Sequence, residues 1–108
     1  MNNQIDNQLL GKYVIVRTYS AGVFAGTLAT KSGNEVLLES ARRLWRWQVP
    51  AGKSISLSAV AVDGIDHARS KIPNAVDLVW LEAIEIIPTT DAARASIEGA
   101  PVCEQKKH

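Results

Sequence analysis

From Tyr13 onward short apolar runs, β-branched or aromatic, are interleaved with polar residues, and each run is closed by small or turn-forming residues. Tyr13-Val14-Ile15-Val16-Arg17-Thr18 gives way to Tyr19-Ser20-Ala21-Gly22, Val23 to Lys31 gives way to Ser32-Gly33-Asn34, and Glu35 to Glu39 gives way to Ser40-Ala41. Runs of β-branched and aromatic residues, punctuated by Gly, Ser and Asn, predict a three-stranded antiparallel meander. In the first strand Tyr13, Ile15 and Arg17 face one way, and Val14, Val16 and Thr18 the other. Gly22 suits a hairpin connection that needs a positive φ. Gly26, inside the second run, predicts a strong bend or a close backbone approach. The third strand is unusually long if it continues to Val49, and a change of direction near Ser40-Ala41 lets it serve both halves of a small barrel.

Outside the meander the pattern changes. Ile5 and Leu9 share one helical face ahead of Gly11, which predicts a short N-terminal helix. Pro50 to Ser54 breaks the pattern. Ile55 to Val62 supports two readings. Ser54, Ser56 and Ser58 alternate with Ile55, Leu57 and Ala59, which slightly favours a strand or irregular segment, whereas Ser56 as N-cap and Gly64 as C-cap frame a helical turn. Asp63 to Asn74 reads as a loop. Val76 to Trp80 and Ala83 to Ile87 supply one or two closing strands, stopped by Pro88. Thr89 or Thr90 then caps a last helix from Asp91 to Glu98, ended by Gly99 and Pro101. The expected fold is mainly β: a small, strongly bent antiparallel barrel with a short helix at each end. It forms a single domain over residues 1–108, with the barrel over about 5–88 and the C-terminal helix and tail over 89–108.

Composition narrows the function classes. A chain of 108 residues, 46% hydrophobic, carries enough apolar material for one core. A net charge of +1 provides no general field toward nucleic acid or membrane, so any basic site is local. The single cysteine, Cys103, excludes an internal disulfide. Met1-Asn2-Asn3-Gln4 lacks the basic start of a secretory signal, and no apolar run approaches the roughly 20 residues that span a bilayer. The expected location is the cytoplasm, with no membrane partner.

The strongest candidate site is Arg42-Arg43-Leu44-Trp45-Arg46-Trp47. Arginine offers a planar fork of donors for phosphate oxygens, and tryptophan a flat surface on which a base stacks. Arg42, Arg43, Trp45, Arg46 and Trp47 are therefore candidate ligand-binding residues. In an extended chain Arg43, Trp45 and Trp47 share one face, and Arg42, Leu44 and Arg46 the other. The competing structural reading has the tryptophans filling barrel ends or a subunit interface, with the arginines on their faces or paired to Glu35 and Glu39. Tyr19 and Ser20, at the first hairpin tip, are further ligand candidates through a phenol, a hydroxyl and exposed amides. Phe24 and Trp80 read as core or interface. Catalysis finds little support, because His67, His108 and Cys103 stand apart, and no metal-ligand spacing or phosphate-cradling loop occurs. Asp63-Gly64-Ile65-Asp66-His67 reads as a solvated loop. No enzyme activity, cofactor or metal is expected.

Two resemblances add to this. The segment Ile5-Asp6-Asn7-Gln8-Leu9-Leu10-Gly11-Lys12-Tyr13-Val14-Ile15-Val16 resembles the helix and first strand of Sm-like and Hfq-like proteins. Gly22 to Leu28 resembles that family's second strand, and Val36 to Ala41 its third. The likeness covers residues 5 to about 45 and implies a Sm-like (SH3-like) barrel. The chain departs from the family where RNA is bound. Glu35 stands where those that bind uridine-rich RNA have an asparagine, with Asn34 one residue earlier, and Leu81-Glu82-Ala83 replaces an arginine-glycine pair. The chain is also similar to a group of small bacteriophage proteins through Arg17 to Gly26, Ala41 to Trp47 and Ala83 to Pro88, which implies a phage origin rather than an activity.

The resulting expectation is a non-enzymatic, oligomeric nucleotide-binding protein acting in the cytoplasm of a host cell. It would sequester a small nucleotide, such as a cyclic nucleotide immune signal, at sites near subunit interfaces. The alternatives are Hfq-like RNA binding and a protein-interaction module that grips a host protein through Trp45 and Trp47. A short meander leaves edge strands unpaired, which predicts a homo-oligomer, ring or dimer-based.

Overall fold

The computed structural model describes residues 8–53 and 56–102. Four antiparallel strands, β1 (Tyr13–Thr18), β2 (Val23–Ser32), β3 (Glu35–Arg43) and β4 (Val76–Pro88), carry the fold. Helix α1 (Leu57–Asp63) lies between β3 and β4, and α2 (Asp91–Glu98) follows β4. The helix expected over residues 5–10 falls largely outside the described residues, although Gln8 and Leu9 are helical. Cys103 and His108 also lie outside them.

One strand closes the sheet. Val76 to Pro88 is a single strand, because nothing between Trp80 and Ala83 turns the chain. Its first half pairs with β3, from Ala41↔Val76 to Glu35↔Glu82, and its second half with β1, from Thr18↔Ala83 to Val14↔Pro88. The four strands thus form a closed ring in the order β1-β2-β3-β4. The bending comes from register shifts. Ser40, with φ 51°, is the extra residue between the pairs Thr27↔Glu39 and Ala25↔Arg42, and it changes the direction of β3 where the sequence predicted. Gly26 lies opposite it. A Cβ there would stand 2.9 Å from the Glu39 carbonyl oxygen and 3.0 Å from Ala41 Cα, so the close approach admits only glycine.

Closure divides the core in two. Val14, Val16, Phe24, Leu28, Val36, Leu38 and Leu81 pack together as one cluster of buried side chains. Tyr13, Ile15 and Ala25 pack instead against Leu44, Val60, Ile65, Ile72 and Ile97, which come from the segment after β3 and from α2. Strand β1 is therefore buried on both faces from Tyr13 to Val16. Each such fully buried aliphatic side chain contributes about 1.5–3 kcal/mol.

The segment from Leu57 to Asp63 is helical, so the expected strand or irregular stretch is corrected there. The caps decide it. Ser56 Oγ accepts from Ala59 N–H at 3.1 Å, and Gly64 N–H donates to the Val60 carbonyl at 2.9 Å. Buried Val60 and Ala61 then pack the helix onto the core, so the serine alternation did not mark a strand face. The loop expected over Asp63 to Asn74 contains a 3-10 turn, His67–Arg69, which Asp66 caps. Thr90 caps α2, its hydroxyl accepting from Ala93 N–H at 3.0 Å.

Candidate functional site

The aromatic and arginine segment after the bend is split by burial. Arg42 and Leu44 turn inward, at 6% and 3% exposure, whereas Arg43 and Trp45 turn outward. Alternation ends after Trp45, because β3 stops at Arg43 and the chain makes only an isolated bridge between Arg46 and Lys71.

Arg42 is engaged by the fold. Its Nη1 donates to the carbonyls of Ile97 (2.9 Å), Glu98 (3.4 Å) and Ala100 (2.7 Å), at the C-terminal end of α2. Nη2 donates to the Ile72 carbonyl at 3.0 Å and Nε to that of Pro73 at 3.0 Å. The last carbonyls of a helix have no partner within it and carry the negative end of its dipole, so a buried guanidinium is stabilised there without a carboxylate. Every donor edge of Arg42 faces a backbone acceptor, which leaves none for a ligand.

Arg43 is tied down at the surface. Its Nη1 donates to the Ala21 carbonyl at 2.7 Å, and its guanidinium stacks over the Phe24 ring at 4.4 Å. Phe24 is core, as expected. Through Arg43 the hairpin tip is joined to the end of β3. The tip is further held by Thr18, whose Oγ1 donates to the Gly22 carbonyl at 2.7 Å and accepts from Ala21 N–H at 2.9 Å.

Trp45, Arg46 and Lys71 line a groove of about 310 Å³. The Trp45 indole is 68% exposed. Lys71 N–H donates to the Arg46 carbonyl at 2.6 Å and Arg46 N–H returns a bond at 3.2 Å, so the backbones fix the two side chains as neighbours. Among the described residues, neither the Arg46 guanidinium nor the Lys71 ammonium has an ion pair or hydrogen bond. Trp47 is half-buried and packs against the core.

Tyr19 and Ser20 line a different groove, about 130 Å³, with Trp80 and Glu82. Tyr19 is 88% exposed. Trp80, expected in a core or interface, is 55% exposed, and its indole N–H donates to Glu35 Oε1 at 3.0 Å. The sequence candidates therefore separate into one basic groove, one aromatic groove and one buried arginine.

A wider groove, about 380 Å³, lies between Gly11, Lys12, Tyr13, Pro88, Thr89, Asp91 and Arg94. Arg94 is already bonded to Glu98 at 3.1 Å and placed over the Tyr13 ring, and Asp91 stands on the rim, so this groove has mixed charge. The residues from Asp63 to His67 are occupied by the fold. Asp63 pairs with Lys53 at 3.8 Å, His67 Nε2 lies 2.7 Å from the Ser96 carbonyl, and the Arg69 side chain bonded to Asp66 holds that carboxyl below its ordinary range. No group of His, Cys, Asp and Glu with metal-binding geometry occurs among the described residues.

Residues 11–97 match the family described as Domain of unknown function (DUF6948), and the chain belongs to that family. No curated protein and no solved structure matches it. No helix among the described residues is long and apolar enough to cross a membrane.

Proposed function

We propose that this chain is a non-enzymatic nucleotide-binding protein with a Sm-like barrel, which holds a small anionic nucleotide in the groove of Trp45, Arg46 and Lys71. The observation that carries the reading is the exposed Trp45 indole beside two cations with no partner among the described residues. A base stacked on an aromatic ring gains about 1–3 kcal/mol, and each charge-assisted bond to phosphate about 1.5–3 kcal/mol. Trp45 supplies the stacking face, and Arg46 and Lys71 the phosphate contacts. Arg42 leaves the ligand set, and Arg43 acts by placing the hairpin tip. Trp47 supports the segment from beneath, while Tyr19 and Ser20 belong to a second surface.

A groove of this size with one pair of cations unpaired among the described residues suits a mono- or dinucleotide better than a long RNA, whose affinity is built from many phosphate contacts. The resemblance to phage proteins gives such binding a use, the sequestration of a host nucleotide signal in the cytoplasm by a homo-oligomer. Calorimetric titration with mononucleotides, cyclic dinucleotides and uridine-rich oligonucleotides tests it. Binding of a small nucleotide that weakens about tenfold or more in both Trp45→Ala and Arg46→Ala is the expected result. Binding that survives both substitutions refutes the groove, and binding of oligonucleotides alone makes this an RNA-binding protein.

A further inference from the structure

The closed ring leaves part of β4 without a neighbour among the described residues. Val76 to Glu82 pairs with β3, but β1 pairs with β4 only from Ala83 on, so among the described residues the other edge of Val76–Glu82 has no strand partner. The direction of the backbone groups follows from one bond. Ala83 N–H donates to the Asn34 carbonyl on the β3 side at 2.7 Å, so the N–H and C=O groups of Val76, Leu78, Trp80 and Glu82 turn toward the open side.

The side chains beside this edge are apolar. Val76, Leu78 and Trp80 occupy alternate positions and are 48%, 55% and 55% exposed. Soluble proteins guard such edges with charged side chains, above all lysine, or with proline or a bulge; Val76 to Glu82 holds no lysine and no proline, and its two carboxylates, Asp77 and Glu82, fall outside the Val76-Leu78-Trp80 stripe. An open edge under an exposed apolar stripe is an association surface.

We infer that a second copy of this chain pairs antiparallel along this edge, about a two-fold axis at Leu78. A two-fold axis perpendicular to the sheet keeps outward side chains outward, so residues pair only when their numbers sum to an even value. Centred on Leu78, the outward pairs are Leu78 with the partner's Leu78 and Val76 with the partner's Trp80, taken twice. All are apolar, and aromatic-aliphatic cross-strand pairs of this kind stabilise a sheet. Asp77 then faces the partner's Val79 and Glu82 the partner's Asn74, so no carboxylate meets another. Moving the axis to Val79 would set Val76 against the partner's Glu82. Moving it to Trp80 would require edge groups that β1 already uses.

The area sets the strength. Covering these three side chains and part of Tyr19, which lines the groove beside Trp80, removes on the order of 400 Å² of apolar surface per copy. A standard interface buries about 800 Å² per partner, so this is a small interface of the weak, reversible class, and the test is set at high protein concentration. The inference gives the assembly part of the proposed function a surface. It stands apart from the nucleotide part, since it is read by mass and cross-linking without any ligand.

The test uses the full chain carrying Cys103→Ser. Light scattering at about 100 μM should show a dimer, and adding Leu78→Lys should give a monomer whose far-UV circular dichroism spectrum is unchanged and whose melting temperature no longer rises with concentration. In the same background Leu78→Cys should be trapped as a covalent dimer by a short bifunctional thiol reagent, because facing Cβ atoms in a strand pair lie about 4.5–5.5 Å apart, just beyond the span of a direct disulfide. Trp45→Cys, on the basic groove, should not cross-link. A monomer at this concentration, a dimer indifferent to Leu78→Lys, or a dimer that Leu78→Cys fails to trap each overturns the proposal.

Discussion

Replacing Arg42 by alanine is expected to remove a large share of the stability. The side chain donates to carbonyls of Ile72, Pro73, Ile97 and Ala100 at 2.7–3.0 Å and more weakly to Glu98 at 3.4 Å. Hydrogen bonds to a charged group contribute about 1.5–3 kcal/mol each, but bonds sharing one guanidinium do not add. Removing one partner of a buried polar network costs about 3–5 kcal/mol, and the truncation also strands the α2 C-terminal carbonyls beside an empty space. A domain of this length holds about 5–15 kcal/mol in all. At roughly 4–8 °C per kcal/mol, the melting temperature should fall by about 12–40 °C. Arg42→Lys keeps the charge but not the fork, and should lie between the two. Thermal and urea unfolding followed by circular dichroism measures both. A melting temperature for Arg42→Ala within a few degrees of the native protein would refute the structural role and return Arg42 to the ligand set. Arg46→Ala is the matched control. Its side chain has no intramolecular partner among the described residues, so stability should change by less than about 0.5 kcal/mol.

The contrast between those two arginines shows where sequence reading stops. Parity along β3 placed Arg42 with Leu44 on one face, and that face is the buried one. The same parity placed Arg46 inward as well, which fails because the bridge to Lys71 ends the alternation. Nothing local announces that the end of α2 arrives 55 residues later in the chain to receive the Arg42 guanidinium. Lys71 was missed for the same reason, since only a long-range backbone bridge brings it beside Arg46. The strands and the bend at Ser40 were legible because they rest on local side-chain pattern and on glycine. The single long β4 was half legible. Val79 and Leu81 alternate with Leu78 and Trp80 and make both faces apolar, which signals a strand but conceals which face the ring covers. In α1, Ser56 and Gly64 outweighed an alternation of small serines that carried no burial.

Three smaller perturbations test the local geometry. Gly64 sits at φ 81°, ψ −156°, a region open essentially to glycine, and a Cβ there would meet Ser96 Cβ at 2.5 Å. Gly64→Ala should therefore cost about 2–4 kcal/mol in urea unfolding, by strain and by displacing Ser96 from Ile65. Ser40→Gly relieves a positive φ at an exposed bulge and should raise stability by about 1 kcal/mol, read as a higher melting temperature. Tyr13 gives the pH test. Its hydroxyl is buried without a hydrogen-bond partner among the described residues, and burial, aided by Glu98, pushes the phenol up to about 12. The protonated form is thus favoured in the folded state. Its contribution is complete below the unfolded value near 10 and is lost as pH rises from there through about 12. Two units correspond to about 2–3 kcal/mol. Tyr13→Phe keeps the ring under Arg94 and loses the unpartnered hydroxyl, so at neutral pH it should be equal in stability or about 1 kcal/mol better. Between pH 10 and 12 the native protein should lose stability relative to Tyr13→Phe. Parallel curves for the two proteins across that range would show that the phenol titrates freely and that its burial has no energetic consequence.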